Sequence, residues 1–313
     1  MSIVEEIASD LGFSKSYIKE IAEGAGGRYR KVLLNGRRID VPSSDLKLVQ
    51  GWIACLLQEC MPCDAGYITA YEPGRSVISN ALLHSENAHL ITLDITGFFR
   101  SCTTEMVKSV FSQLRFVSHG SNNKTAVSKK DIELLTQLSC YRGSLPMGSP
   151  CSPGIANRIM VPVDQEIIRV LPPDCSYSRY SDDIAISSSQ WLDIQGIVGL
   201  LEVVLAEYGF NVNHKKVHCY GKGDARKITG IYIHPDGTLG IGKSRKALLS
   251  RSLYLLLTRQ TGSASELLGH LNFCKQVDPD LFVRLIAKYS SYGVAVEYGG
   301  VMPALVEMAN REG

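Results

Sequence analysis

Apolar residues recur along this chain in two rhythms. From Trp191 to Tyr208 they come every three or four positions and place Ile197, Leu200, Leu201, Val204, Leu205 and Tyr208 on one face, which predicts an amphipathic helix. The same spacing predicts helices in 3–22, broken at Gly12-Phe13-Ser14 with Ser14 placed to cap the second, and again in 46–59, 76–84, 103–114 and 131–140 and from about Ile155. Shorter runs read as strands. Arg28–Leu34 and Arg37–Val41 flank a turn at Asn35-Gly36 and predict a hairpin. His89 to Asp94 is an apolar run ending in an acid, and Cys175–Arg179 and Ile184–Ser188 bracket a tight turn. Phe210–Val212, Lys227–Ile233 and Leu239–Ile241 predict three more short strands, and helical spacing returns from Ser244 onward. Ser118–Lys130 is polar and reads as a loop, and Gly143–Pro153 is rich in Gly, Pro and Ser. Strands and helices alternate in the centre and helices dominate both ends, so the expected class is α/β with a small sheet. No internal repeat is visible.

Composition narrows this little. A chain of 313 residues has room for two or three subdomains, and 45% hydrophobic with 20% charged residues fits a soluble globular protein. No apolar run reaches the roughly 18 residues that span a bilayer. The N-terminal Met1-Ser2-Ile3-Val4-Glu5-Glu6 is acidic, unlike a signal peptide. Nine scattered cysteines, an odd number, suit reduced thiols in a cytoplasm. Cys60-Met61-Pro62-Cys63 is the lone CxxC pair and lacks two further ligands for zinc. The net charge of +2 conceals two basic segments. Asn213–Arg259 holds ten Lys or Arg against two Asp, a net of +8, and Lys15–Gln50 holds eight against four acids, a net of +4. They flank a central acidic cluster, an arrangement suited to a polyanion held from two sides. Ordinary solvated lysines are the competing explanation.

The acidic cluster is the most informative chemistry. Tyr180-Ser181-Asp182-Asp183 puts adjacent carboxylates at a hairpin tip, and Asp94 closes a neighbouring strand. Like charges so close resist ionisation unless a cation faces them. Three acids on adjacent strands make an all-oxygen site suited to magnesium bound with substrate phosphates, and to two-metal phosphoryl transfer. Taken alone, Asp-Asp at a turn is more often simply solvated.

Four motifs in order change that balance. Asp94-Ile95-Thr96-Gly97-Phe98-Phe99, Leu145-Pro146-Met147-Gly148-Ser149-Pro150-Cys151-Ser152-Pro153, Tyr180-Ser181-Asp182-Asp183 and Asn213-His214-Lys215-Lys216 resemble the successive motifs of reverse transcriptases, over about 29–285. Asn80-Ala81-Leu82-Leu83-His84, Ile228-Thr229-Gly230 and Gly269-His270-Leu271-Asn272-Phe273 resemble signatures of the retron reverse transcriptases of bacteria. The resemblance implies a right-hand polymerase fold: fingers with N-terminal helices in 1–87, an RRM-like palm in 88–115 and 145–238 around a fingers insertion at 116–144, and a helical thumb in 239–313. The palm is expected to be a small antiparallel sheet with helices on one face.

The resemblance also implies roles. Asp94 and Asp182 should bridge two Mg2+ ions, with Asp183 and the Ile95 carbonyl assisting. Phe99 matches a gate against the ribose 2′-OH, while Phe98 reads as core. Arg37 matches the fingers arginine that clamps the triphosphate, with Arg38 a close competitor. Lys216 is either a general acid for pyrophosphate or a phosphate contact. Gly148 should let backbone approach the nucleotide, and Met147 departs from the family's usual Gln. Asn80 and His84 either hold the fingers–palm junction or touch RNA. Thr229, Gly230, Arg245, Lys246 and Arg251 are expected to meet RNA. The implied activity is RNA-directed DNA synthesis from deoxynucleoside triphosphates. A dedicated structured noncoding RNA would serve as template and 2′-OH primer, giving a branched RNA–DNA product (msDNA). A separate effector protein in anti-phage defence is implied, with no membrane partner. The alternatives are a protein-primed or untemplated defence polymerase, and a silent RNA-binding scaffold.

Overall fold

A computed structural model describes residues 2–34, 36–117 and 124–312 of the chain. They divide into two compact units, one of 1–76 and 89–219, the other of 77–88 and 220–313. The second unit takes in 77–88 and 220–238 as well as the segment 239–313. Asn35, half of the predicted turn, and residues 118–123 of the predicted loop lie outside the described residues.

The first unit opens with helices α1 (Ile3–Leu11) and α2 (Lys15–Glu23), a hairpin of β1 (Tyr29–Leu34) and β2 (Arg37–Pro42), and α3 (Ser44–Cys60). Ser14 caps α2 by accepting from the Tyr17 N–H, as its position predicts. The chain enters the second unit for α4 (Val77–Leu82) and returns as β3 (His89–Asp94), α5 (Phe98–Ser101) and α6 (Thr104–Gln113). There follow a short hairpin of β4 (Arg115–Val117) and β5 (Lys124–Ala126), then α7 (Lys129–Ser139), α8 (Ser152–Val170), β6 (Ser176–Tyr180), β7 (Asp183–Ser188), α9 (Ile194–Glu207) and β8 (His218–Tyr220). The hairpin β4–β5 and the start of α7 correct the reading of 118–130 as a plain loop. Phe210–Val212 is no strand; Val212 makes only an isolated bridge to Ile95.

The central sheet runs β6-β7-β3-β8 and is antiparallel where β3 and β6 meet β7. Its register assigns its faces, because residues directly opposite share one. Ile91, Leu93, Ile184, Ile186 and Tyr177 occupy one face and join the core with Val107, Phe111, Ile159, Met160 and Val163 of α6 and α8. On the other face Thr92 stands opposite Ala185, and Asp94 opposite Asp183. The expected small antiparallel sheet is therefore present, with its helices on the face away from the acids. Arg179 is the exception on the core face, a charged residue with 0% exposure.

The second unit holds the three-stranded sheet β9 (Arg226–Ile228), β10 (Ile231–Ile233) and β11 (Leu239–Gly240), followed by helices α10 (Lys243–Arg259), α11 (Ala264–Val277), α12 (Pro279–Tyr289), α13 (Val294–Glu297) and α14 (Val301–Asn310). The single strand predicted over 227–233 is a hairpin, because Thr229 and Gly230 both take positive φ (45° and 85°) and turn the chain between the paired Ile228 and Ile231. Leu249, Leu253, Leu256, Leu271 and Leu285 form the buried side of its helices. At the C-terminal end, the Glu312 carboxylate accepts from the Ala264 and Ser265 N–H groups, capping α11. No helix among the described residues is long and apolar enough to cross a membrane.

Candidate active site

The turn between β6 and β7 has only two residues, Ser181 and Asp182, between the paired Tyr180 and Asp183. Ser181 takes φ 60°, a value glycine usually supplies in such turns. Two backbone links aim it. The Ile95 N–H donates to the Asp182 carbonyl (3.0 Å), and Arg179 Nη1 donates to the Ser181 carbonyl from beneath (3.2 Å). Asp94, Asp182 and Asp183 thereby share one end of the sheet.

Like charges directly opposite on a sheet repel, and the acids register it. Asp182 titrates above its ordinary range because of burial, with the Asp94 charge adding to the effect. Asp183 is pushed up to about 6 by burial, then by Asp182 and Asp94. Asp94 faces a compensating group: Lys216 Nζ lies 2.5 Å from its Oδ1, and Asn213 Nδ2 lies 3.1 Å from its Oδ2. The Asn213 N–H also donates to the Asp94 carbonyl (2.8 Å). Lys216 and Asn213 thus meet an acid.

These donors fit a hard divalent cation in chemistry, being carboxylates and backbone carbonyls whose negative charge is incompletely offset. They do not stand as a closed cage. Among the described residues no three His, Cys, Asp or Glu side chains converge to hold a metal ion, and Asp94 is turned toward Lys216.

Asp94 and Asp182 border a cleft of about 880 Å³. Arg37 and Arg38 line it from the hairpin β1–β2, Phe99 from α5 and Met147 from the loop before α8. Both Phe98 and Phe99 line it, but Phe98 is buried and packs on Phe210 (6.1 Å between centroids), whereas Phe99 is half-buried. Gly148 is pressed against the hairpin. At φ 119°, a Cβ would lie 2.7 Å from Ile39 Cγ2 and 2.8 Å from the Asp40 carbonyl oxygen. It is β2, held also by the Asp40 N–H donating to the Met147 carbonyl (2.9 Å), that requires glycine there.

The remaining predicted residues lie in the second unit. Asn80 Nδ2 donates to Thr229 Oγ1 (3.4 Å), so the Asn80–His84 segment and the Ile228-Thr229-Gly230 turn are two sides of one contact. His84 has 0% exposure, so it offers no surface to RNA, and burial together with the Arg226 charge pushes its pKa down to about 4. Arg226 donates to the carbonyls of His84, Ser85 and His234, joining α4 to β9 and β10. Lys246 and Arg251 are exposed on α10, while the Arg245 guanidinium stacks on Phe273 (4.6 Å).

Sequence reasoning missed a buried polar network beneath the turn. Arg179 donates twice to Asp164 of α8 (both 2.8 Å) and to Asn157 Oδ1 (3.0 Å). Asn157 Nδ2 in turn donates to Glu72 (3.0 Å), which accepts from Arg158 (2.7 Å). The available signal is charge in apolar context: Arg179 within a strand and Asp164 within a helix of otherwise apolar spacing. Tyr71 was also missed. It lines the cleft, and its hydroxyl lies 3.3 Å from Ser181 Oγ.

Acids at one end of a sheet beside a cleft lined by two arginines suit phosphoryl transfer, and comparison with known proteins supplies the class. Residues 30–233, well over half of the chain, match the reverse transcriptase (RNA-dependent DNA polymerase) family. The chain belongs to that family, whose members generally use divalent cations, and it is an RNA-directed DNA polymerase. Its relatives include the retron Ec86 reverse transcriptase of Escherichia coli, 27% identical over 255 residues covering 81% of this chain and 76% of that one. The retron Ec73 reverse transcriptase of the same organism is 28% identical, covering 81% and 83%. The retron Mx162 reverse transcriptase of Myxococcus xanthus is 26% identical over 64% of this chain and 45% of its own. Among solved structures, a Candida albicans telomerase in complex with a fragment of telomeric RNA aligns with a TM-score of 0.49 at 11% identity, covering 95% of this chain and 63% of that one.

Proposed function

We propose that this polymerase is a retron enzyme, which copies a dedicated structured noncoding RNA and uses an internal 2′-OH of that RNA as primer. The product is branched RNA–DNA (msDNA), and the setting is anti-phage defence with a separate effector protein. The carrying observation is the joining of Asn80 to Thr229, since it makes one contact of the two retron-like signatures. The similarity to several retron enzymes supports the same reading.

In this reading Asp94, Asp182, Asp183 and the Ile95 carbonyl would hold two Mg2+ ions, which would lower the pKa of the attacking hydroxyl and offset charge on the departing pyrophosphate. Arg37, with Arg38 beside it, clamps the triphosphate. Phe99 and Met147 bound the sugar, Gly148 keeps the hairpin close, and Lys216 meets charge at the reacting phosphates. The hydroxyl oxygen bonds to the α-phosphorus, its proton is lost, the bond to the bridging oxygen breaks, and pyrophosphate leaves. Thr229 and Gly230 present the turn to RNA, Asn80 and His84 support that turn, and Arg245, Lys246 and Arg251 bring positive charge to phosphates.

Sequencing the nucleic acid that co-purifies with the protein tests the reading. The expected result is DNA joined to RNA through a 2′–5′ linkage, released by debranching enzyme and absent from an Asp182→Asn preparation. DNA unlinked to RNA, or attached to a protein side chain, would end the retron assignment and leave the polymerase standing.

A further inference from the structure

We infer that Tyr71 holds the nucleotide that supplies the attacking hydroxyl, stacking its ring on that nucleotide's base beside Tyr180. The inference rests on the polymerase reading above for the place of the incoming nucleotide.

The sheet order β6-β7-β3-β8 gives the acids two flanks. Asp94 and Asp183 close the two central strands. Phe99 follows β3, and Asn213 and Lys216 lead into β8, so the gate and the lysine belong to one flank. Tyr71 belongs to the other. Ile68 bridges Arg179 in parallel, and the Thr69 N–H donates to the Arg179 carbonyl (2.9 Å), so 68–69 run along the outer edge of β6 and deliver Tyr71 to the turn. An in-line displacement places the attacking oxygen and the leaving pyrophosphate oxygen on opposite sides of the reacting phosphorus. With pyrophosphate leaving on the flank of Lys216 and Phe99, the hydroxyl donor lies on the Tyr71 flank.

The local structure there is built for a ligand. Tyr71 takes φ 62° and Ser181, its hydroxyl partner, φ 60°, so two non-glycine residues in the left-handed region meet beside the acids. Each such residue is costly, and the surroundings must hold it in place. They do: the next residue, Glu72, is buried against Arg158 and Asn157, and the preceding Ala70 carbonyl accepts from Asn157 Nδ2 (2.9 Å). What that strain presents to the cleft is a ring 45% exposed, its centroid 6.4 Å from that of Tyr180. Two aromatic faces on one flank suit bases of any identity, because every base has a π-face, and a polymerase needs such tolerance at the end it extends.

The test uses the whole protein with an annealed primer–template carrying 2-aminopurine as the terminal primer base. Tyr71→Gly removes the ring at a backbone angle that glycine adopts freely, so relief of that strain offsets the lost contacts with Ser181 and Tyr180 and a cooperative thermal melt should be retained. Its KM for the primer end should rise about tenfold, with the KM for deoxynucleotide unchanged and the quenching of 2-aminopurine on binding lost. Tyr71→Phe, which keeps the ring, should retain both the quench and the primer KM. An unaltered primer KM and quench in Tyr71→Gly would overturn the inference, as would a shift confined to the KM for deoxynucleotide. Should the unaltered protein extend no primer with magnesium, the placement of the reacting groups proposed above fails instead, and the fluorescence signal, which needs no catalysis, still decides the place of Tyr71.

Discussion

The ion pair of Arg179 and Asp164 gives a sharp measure of how the catalytic turn is held. Both side chains have 0% exposure, and the pair is bidentate at 2.8 Å on each arm. Burial alone would lower the pKa of Arg179, but the Asp164 carboxylate overrides it and keeps the guanidinium charged. Asp164→Asn preserves shape and removes that compensation, stranding a charge in a dry interior. Breaking a buried pair from one side costs about 3–5 kcal/mol, a large share of the roughly 5–15 kcal/mol that stabilises a domain. For a unit of this size that is a fall in melting temperature on the order of 10 °C. Adding Arg179→Met removes the stranded charge and leaves the Tyr177 hydroxyl, which donates to Asp164 in the native protein (2.7 Å), an amide oxygen to bond. Most of the stability should return. DNA synthesis should not, because the Ser181 carbonyl and Asn157 Oδ1 have lost their shared donor and the turn carrying Asp182 is no longer braced. Thermal melts and primer extension on the three proteins separate the two effects. A melting temperature within a degree or two of native for Asp164→Asn, or native synthesis rates in the double variant, would refute the bracing role.

Three further outcomes are expected. Gly148→Ala must push β2 away from the Met147 carbonyl; with overpacking worth about 1–3 kcal/mol, the KM for deoxynucleotide should rise about tenfold or more, and steady-state kinetics showing no rise would release β2 from that role. Phe99→Ala should increase incorporation of ribonucleotides relative to deoxyribonucleotides in a primer-extension assay, whereas Phe98→Ala, in the core against Phe210, should lower the melting temperature instead; an unchanged sugar ratio in Phe99→Ala would move the gate elsewhere. His84 has a folded pKa of about 4, below its ordinary 6.5, so its contribution is intact above pH 6.5 and is lost as pH falls toward 4; the loss amounts to something on the order of 3 kcal/mol, and His84→Leu should flatten melting temperature against pH in that window, a slope equal to that of the native protein counting against the assignment.

Much of the fold was legible because alternation and helical spacing are local signals. The strand to Asp94 and the pair around Tyr180–Asp183 stand close to where their patterns predict, since apolar residues two apart must share a face. What was hidden depends on partners distant in sequence. Nothing near Arg179 announces Asp164, and nothing near Gly148 announces Ile39, because each pair is joined only by packing. The hairpin of 226–233 was hidden for a different reason: Thr229, a β-branched residue, occupies a positive-φ site where Asn or Gly is the usual sign. Leu200 shows the limit of periodicity. Its spacing assigns it to the core with Leu201, yet it is 41% exposed while Leu201 is buried, because the buried stripe of α9 is narrower than its apolar pattern.

The spacing Asn213-His214-Lys215-Lys216 has its own geometric reason. Residues 214–216 form one turn of 3₁₀-helix with Asn213 at its start. In that helix positions three apart eclipse one another, so Asn213 and Lys216 project to the same side while His214 is directed to Glu202 (3.1 Å). The two residues on the shared side are the two that grip Asp94, one on each carboxylate oxygen. An α-helical turn would separate them by 300° around the axis, about 60° out of line, and an extended segment would place them on opposite faces. Asn213 and Lys216 are therefore the positions that a 3₁₀ turn can bring to a single carboxylate, and the Asn213 N–H, bonded to the Asp94 carbonyl, holds that turn against the end of β3.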